Sequence, residues 1–307
     1  MNLSVIILNW NAREWLERSV GSALAQDIGA RTFEVILVDN ASTDGSVQFA
    51  QDSFPQLTII ALDENLGFAA GNNVGMAAAR GDVVLLLNPD TISHPGAFAA
   101  ILDFMEAHPA CGIAGPKLLN KDGTLQYSCR HFARLEAGFF RNTPLGRLFP
   151  RNRATRDYLM KDAPHDEPMV VDWVSGAAMA IRREVIDAVG TLDEEFYMYV
   201  EDVDLCYRAK QAGWQTWYAP AGVITHAIAQ SSDKNPRPMI IAFHKSMFRF
   251  FRKHYLGTLY PGWLTPIVAV GLTVRVGLVI ALGYWKDLTG KGPEKASIPP
   301  EQQEDRK

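Results

Sequence analysis

Six side chains invite a chemical reading before any fold is considered: Asp39, Asp90, Glu201, Asp202, Asp204 and His226. Three of them fall within four positions, in the string Phe196-Tyr-Met-Tyr-Val-Glu-Asp-Val-Asp-Leu-Cys-Tyr-Arg208. Acidic residues in a first helical turn complement the helix dipole. Three carboxylates beside a run of aromatics exceed what capping needs, and one of them can act as a general base. Asp202-Val-Asp204 is the only literal Asp-x-Asp in the chain. It lies inside a helical pattern and not after a strand, so it is not read as a cation site. Asp90, in Asn88-Pro-Asp-Thr91, can bind Mg2+ or Mn2+ through one carboxylate, with diphosphate oxygens completing the shell. The same tetrapeptide is also a plain turn signal. Asp39, in Val38-Asp-Asn-Ala-Ser-Thr-Asp-Gly-Ser46, can accept from a pyrimidine N–H. Asp39, Asn40 and Ser42 can equally cap the next helix, and both can hold at once. His226 ends a strand-like run over 217–225; a lone histidine is more often structural than a ligand.

The elements that must position these groups alternate. Apolar runs at 4–8, 33–38, 57–61 and 83–87 are followed by helical patterns at 12–25, 42–52, 69–79 and 95–107. Strand-helix alternation argues for an α/β, doubly wound, mostly parallel sheet with helices on both faces. The runs are apolar throughout, as expected for strands buried on both sides. Ligands of such sheets bind beyond the carboxyl ends of the strands, which is where Asn9, Asp39, Asn88 and Asp90 fall. The segment Glu64-Asn-Leu-Gly-Phe-Ala-Ala-Gly-Asn-Asn-Val-Gly75 has its glycines four apart. That is not the dinucleotide fingerprint. Its small residues, Gly71 among them, still let a backbone approach a phosphate or ribose. A nucleotidyltransferase would carry a Gly-rich basic loop after the first strand, and here that place is Asn9-Trp-Asn11.

Of the 307 residues 48% are apolar and 21% charged, a globular balance, and the net charge of −4 gives no reason to expect nucleic acid. Cys111, Cys129 and Cys206 make an odd set without a Cys-x-x-Cys pair, which suggests neither a disulfide framework nor zinc and fits a reducing compartment. The start of the chain lacks a basic region and a long apolar run, so the expected location is the cytoplasmic side. The segment 128–168 is irregular and holds Arg130, Arg134, Arg141, Arg147, Arg151, Arg153 and Arg156; a loop that meets an anion and a solvated basic surface are equal readings. Further on, 170–181 reads as one apolar run. Residues 183–189 and 200–212 read as helices, the latter ending at Gly213.

Taken together, Ser4-Val-Ile-Ile-Leu-Asn-Trp-Asn11, Val38–Ser46, Asn65-Leu-Gly-Phe-Ala-Ala-Gly-Asn-Asn73, Leu87-Asn-Pro-Asp-Thr91, Trp173-Val-Ser-Gly-Ala-Ala178 and Tyr199-Val-Glu-Asp-Val-Asp-Leu205 occur in order. This set resembles the inverting family 2 glycosyltransferases across residues 2–255. It looks most like the rhamnosyltransferase branch, which uses dTDP-rhamnose in cell-surface polysaccharide assembly. The resemblance implies a GT-A fold and a Mg2+ or Mn2+ cofactor. It implies that Asp39 contacts the nucleobase and that Asn72, with Asn9, Asn65, Gly71 and Asn88, lines the nucleotide pocket. Asp90 takes the place of the last Asp of the family's metal motif, whose first Asp is here Asn88. Asp202 matches the catalytic base, and His226 a metal-binding histidine downstream of it. Trp173, Ser175, Gly176 and Glu201 would line the donor–acceptor junction. UDP-GlcNAc, UDP-galactose and UDP-galactofuranose are the alternative donors. An inactive sugar-nucleotide-binding protein is the non-enzymatic alternative.

The implied organisation is a nucleotide-binding half at 1–110 and a half at 111–257 that carries the base and the acceptor site. A membrane-associating segment at 258–285 and a disordered polar tail at 286–307 follow. Residues 243–255 place Lys245, Arg249, Arg252 and Lys253 where anionic headgroups could meet them. Residues 263–285 are long enough to span a bilayer, but Arg275 near the middle favours lying in its surface. The expected partners are therefore a sugar nucleotide, a lipid-linked or polysaccharide acceptor, and the cytoplasmic face of a membrane.

Overall fold

The computed structural model describes residues 1–133, 153–227 and 236–288. β1 (Leu3–Asn9), β2 (Phe33–Asp39), β3 (Thr58–Ala61) and β4 (Val83–Leu87) are parallel neighbours in the order β3-β2-β1-β4. α1 (Arg13–Leu24), α2 (Ser46–Ser53) and α3 (Gly67–Ala78) connect them. The chain continues through β5 (Thr91–Ser93), α4 (Ala97–Ala107), β6 (Cys111–Leu119), β7 (Leu125–Gln126) and β8 (Cys129–Arg130). After these come α5 (Arg153–Leu159), β9 (Met169–Val171), β10 (Trp173–Val174), β11 (Ala178–Arg182), α6 (Arg183–Val189), α7 (Glu201–Gln211) and β12 (Gln215–His226). Both halves feed one ten-stranded sheet, ordered β3-β2-β1-β4-β11-β6-β12-β5, with β7 on β6 and β9 on β12. β11 runs antiparallel between β4 and β6, while β12 runs parallel to β6.

The apolar runs are uniform because each strand feeds two cores. Leu3, Val5 and Ile7 of β1 pack with Leu16 and Val20 of α1 and Phe98 and Ile101 of α4. Ile6 and Leu8 pack on the other face with Met76 of α3 and Leu205 and Cys206 of α7. The glycines of α3 serve this second core. A Cβ on Gly71 would sit 2.6 Å from Leu8 Cδ1, and one on Gly75 2.5 Å from Ile6 Cγ2. The missing side chain of Gly71 thus lets α3 lie close on the sheet.

Three expectations change. The run at 170–181 is cut into β9, β10 and β11, because Asp172 and the Ser175–Ala177 turn interrupt it. Arg130 is buried with its guanidinium 5.5 Å from the Trp173 ring, so it belongs to neither a loop nor a solvated surface. Arg153 and Arg156 pair with Asp157 and Asp162, and the other four arginines lie outside the described residues. The third change is at the carboxyl end. The basic-aromatic stretch belongs to α8 (Pro236–Phe250) and its π-helical continuation, Phe251–Tyr255. It packs inward, with Phe250, Phe251 and Tyr255 enclosing Phe196. Arg249 pairs with Glu195 and Asp193, and Lys253 with Asp193 at 2.7 Å and Asp204 at 2.8 Å. Only Lys245 and Arg252, of the four expected headgroup cations, stay exposed and uncommitted to these acids. α9 (Thr265–Leu288) then runs past the expected boundary at 285; residues 289–307 lie outside the described residues.

Candidate active site

Strand ends collect the candidate residues. Asn9 and Asp39 are register partners at the ends of β1 and β2. Asn9 Nδ2 donates to Asp39 Oδ2 at 2.8 Å and to Ser42 Oγ at 3.1 Å, while the Ser42 N–H donates to Asp39 Oδ1 at 2.8 Å. A carboxylate has about four acceptor positions, so these two bonds leave Asp39 room for a ligand donor. Asn65 and Asn72 bond within the segment around the start of α3 and to Asn40. Asn65 Oδ1 accepts from Asn40 Nδ2 and from the Gly67 N–H, both at 2.9 Å. Asn72, buried, donates to Phe68 O at 2.9 Å one turn back. They shape the loop that opens α3.

Asp90 and His226 meet because His226 ends β12 in register with Thr91 of β5. Asp90 Oδ1 lies 3.3 Å from His226 Nε2, and Asn88 Nδ2 lies 3.2 Å from the same nitrogen. The tautomer follows from the network behind the ring. Gln126 Nε2 donates to Asn120 Oδ1 at 3.0 Å and to His226 O at 3.3 Å. Gln126 Oε1 therefore faces His226 Nδ1, at 2.8 Å, and must accept a proton from it. With a proton on Nδ1, His226 directs Nε2 toward Asp90 and the Asn88 amide. Two electron-rich atoms this close call for a proton or a cation between them. Burial opposes ionisation of Asp90, but His226 and Lys121 outweigh it and hold the carboxyl below its usual range. Among the described residues no third His, Cys, Asp or Glu joins the pair. One oxygen and one imidazole nitrogen fit a divalent ion that takes its other ligands from a diphosphate.

The three clustered acids separate. Asp202 Oδ2 accepts the Gly176 N–H at 2.9 Å, and Oδ1 accepts the Val203 N–H at 2.8 Å. Glu201 is 4% exposed. Burial, with the charges of Asp202 and Asp204 adding to it, pushes its carboxyl well above the ordinary range. Its side chain is buried at the start of α7. Asp204 is fully buried and bonded to Arg208 at 2.7 Å, His254 at 2.7 Å and Lys253 at 2.8 Å. Burial opposes its ionisation, yet these partners hold it down to about 2. It is structural, in keeping with the exclusion of Asp202-Val-Asp204 as a cation motif.

The turn at 175–177 joins the parts. Its Gly176 touches Asp202, and Ala177 O accepts the Asn88 N–H at 2.9 Å. Asp202, the Asp90–His226 pair and the Asn9–Asp39 pair thus share one end of the sheet. Trp173 is buried, with Nε1 donating to His131 O at 3.0 Å. Sequence reasoning missed Gln126 and Asn120, which stand in no motif. It also missed Trp10, whose 40% exposed indole follows Asn9 at the sheet end; an aromatic after a strand end was the available signal.

This sheet order, with its acids at the strand ends, is the GT-A fold of sugar-nucleotide transferases. A mannosyltransferase from Pyrobaculum calidifontis, solved in complex with GDP-Man and Mn2+, superposes at a TM-score of 0.57 over 98% of this chain and 77% of that one, at 18% identity. The pattern of glycosyl transferase family 2 matches residues 4–189, and the chain belongs to that family. It is 33% identical over 278 residues, 86% of this chain and 87% of the relative, to an N-acetylglucosaminyl-diphospho-decaprenol L-rhamnosyltransferase of Mycobacterium tuberculosis. It is 28% identical to rhamnosyltransferase WbbL of Escherichia coli, over 61% of this chain and 70% of that one.

Proposed function

We propose that this glycosyltransferase moves L-rhamnose from dTDP-rhamnose onto a hydroxyl of a lipid-linked acceptor, with inversion, at the cytoplasmic face of a membrane. The observation that carries the chemistry is Asp202, held by the Gly176 N–H beside the turn that also fixes Asn88. The rhamnose assignment leans on the two rhamnosyltransferase relatives.

In this reading Asp39 keeps its bond from Asn9 and accepts the N3–H of thymine. Asp90 and His226 hold Mg2+ or Mn2+ through a carboxylate oxygen and the Nε2 lone pair. When bound, the ion offsets the charge that develops on the leaving diphosphate. Asp202 takes the acceptor hydroxyl's proton. The freed oxygen bonds to the anomeric carbon as the bond to the diphosphate breaks on the opposite face, and its electron pair leaves with dTDP.

The membrane assignment leans on α9. The stretch Gly262–Ala281 has a mean hydropathy of 2.0 and is not buried by the rest of the chain. Ile267, Val270, Val274 and Leu278 expose one apolar face, while Val268 packs on the Phe250–Tyr255 cluster. A helix docked on one side and apolar on the other suits the plane of a bilayer surface, with Trp263 at the interface.

The test is a thermal-shift screen with Mg2+ and Mn2+, because a true donor stabilises the fold by mass action. Of dTDP-rhamnose, UDP-GlcNAc, UDP-galactose and UDP-galactofuranose, dTDP-rhamnose should give the largest shift. A larger shift from any UDP-sugar reassigns the donor.

A further inference from the structure

The backbone just ahead of Asp202 is strained. Tyr199 and Val200 have φ of 68° and 73°, in the left-handed region that side chains disfavour, a β-branched one most of all. Such a conformation persists only where its surroundings over-determine it. Here it is gripped from two sides. At the start of α3 the Phe68 N–H donates to Tyr197 O at 2.9 Å. Gly67 lies so close that a Cβ on it would be 2.6 Å from the same carbonyl oxygen. From α8, buried Ser246 donates its hydroxyl to Met198 O at 3.0 Å. The Tyr199 ring stands edge-on to Phe243 of α8 at 5.8 Å. Past the strained pair, the Asp204 N–H bonds to Val200 O at 2.8 Å and α7 begins. Relaxation of this turn toward ordinary φ would rotate the first turn of α7 and carry the Asp202 carboxylate away from Gly176.

We propose that Ser246 is a positioning residue for Asp202, acting through the Tyr199–Val200 turn. The proposal rests on the reading of Asp202 as the base. It makes α8 part of the active site, although α8 lies beyond the segment that matches the family. The same turn also touches α3, so α8 shares one contact chain with Asp202 and the loop that opens α3.

The test uses the full chain, five single variants and one double variant. Ser246→Ala should lower kcat on the order of ten- to a hundredfold, the span expected when a reacting group is displaced by about 1 Å. Its affinity for dTDP by calorimetry should not change. Ser246→Thr, which keeps the hydroxyl, should restore kcat. Val200→Gly removes the strain, so its effect combined with Ser246→Ala should be less than additive. Should Ser246→Ala not fold, Phe243→Leu, which removes the ring bracing Tyr199, should show the same fall in kcat at unchanged dTDP affinity. Full turnover in Ser246→Ala, a parallel loss of dTDP affinity, or strict additivity with Val200→Gly would overturn the proposal. Asp202→Asn separates the two levels. If it turns over normally, the base assignment itself fails; if it is inactive while Ser246→Ala runs at full rate, only the positioning role fails.

Discussion

Replacing Gln126 with leucine tests the metal pair without touching either ligand. The side chain is buried, and its Oε1 is the acceptor for His226 Nδ1–H at 2.8 Å. In Gln126→Leu that proton loses its partner, and an unsatisfied buried donor costs about 1–3 kcal/mol. The ring can escape by moving the proton to Nε2, where Asp90 lies 3.3 Å away. That tautomer puts a hydrogen where the cation should be. Loss of such a supporting partner weakens metal binding by about 10–100-fold, or about 1.4–2.7 kcal/mol. Titration of Mn2+ followed by electron paramagnetic resonance reads this directly, without turnover. Gln126→Glu retains an acceptor for Nδ1–H and should bind Mn2+ better than the leucine variant, although it gives up the donor to Asn120. If Gln126→Leu binds Mn2+ as tightly as the parent, the tautomer argument is wrong. If His226→Ala also binds unchanged, the ion sits elsewhere.

Other tests are shorter. Asp202→Asn should lower transfer by about two to four orders of magnitude while dTDP-sugar binding persists; near-normal turnover would direct attention away from this residue. Asp204 is held at about 2, below its unfolded value, so its stabilisation is present above about pH 4 and is lost as pH falls through about 2. It amounts to about 2–3 kcal/mol at neutral pH. Urea unfolding at pH 6 and pH 3 should show the wild type losing more stability than Asp204→Asn, and parallel losses would refute the linkage. Gly71→Ala should destabilise by about 1–3 kcal/mol through overpacking against Leu8, with little change in donor affinity. Full-length protein should partition with anionic liposomes and a chain ending at Gly257 should not; equal partitioning would remove α9 from the membrane assignment.

The sheet was legible because strands buried on both faces cannot alternate, and four such runs punctuated by helical periods leave few topologies. The strand-end rule then led to Asn9, Asp39, Asn88 and Asp90, which the fold gathers at one end of the sheet. What stayed hidden depends on long-range packing. Gly71 reads the same whether its missing side chain faces a phosphate or Leu8, and only the approach of α3 to the sheet decides. Gln126 reaches His226 across 100 positions of sequence, and no local spacing announces that. The basic face of residues 243–255 looked suited to lipid because Asp193, Glu195 and Asp204, which engage Arg249 and Lys253, are far away in the chain.

The three acids of α7 show how one helical turn assigns different chemistry to like residues. Positions three apart share a face, so Glu201 and Asp204 both point inward and Asp202 does not. Burial raises the energy of a charge unless something meets it. Asp204 meets Arg208, Lys253 and His254, which hold its carboxyl low; Glu201, buried beside the charges of Asp202 and Asp204, is pushed the other way. Asp202, partly exposed and oriented by two backbone N–H groups, is left able to meet a substrate. The cations that hold Asp204 come partly from the π-helical turn that follows α8. Losing that turn would strand a buried carboxylate two residues from Asp202, so the π-helical turn belongs physically to the unit that carries the proposed base.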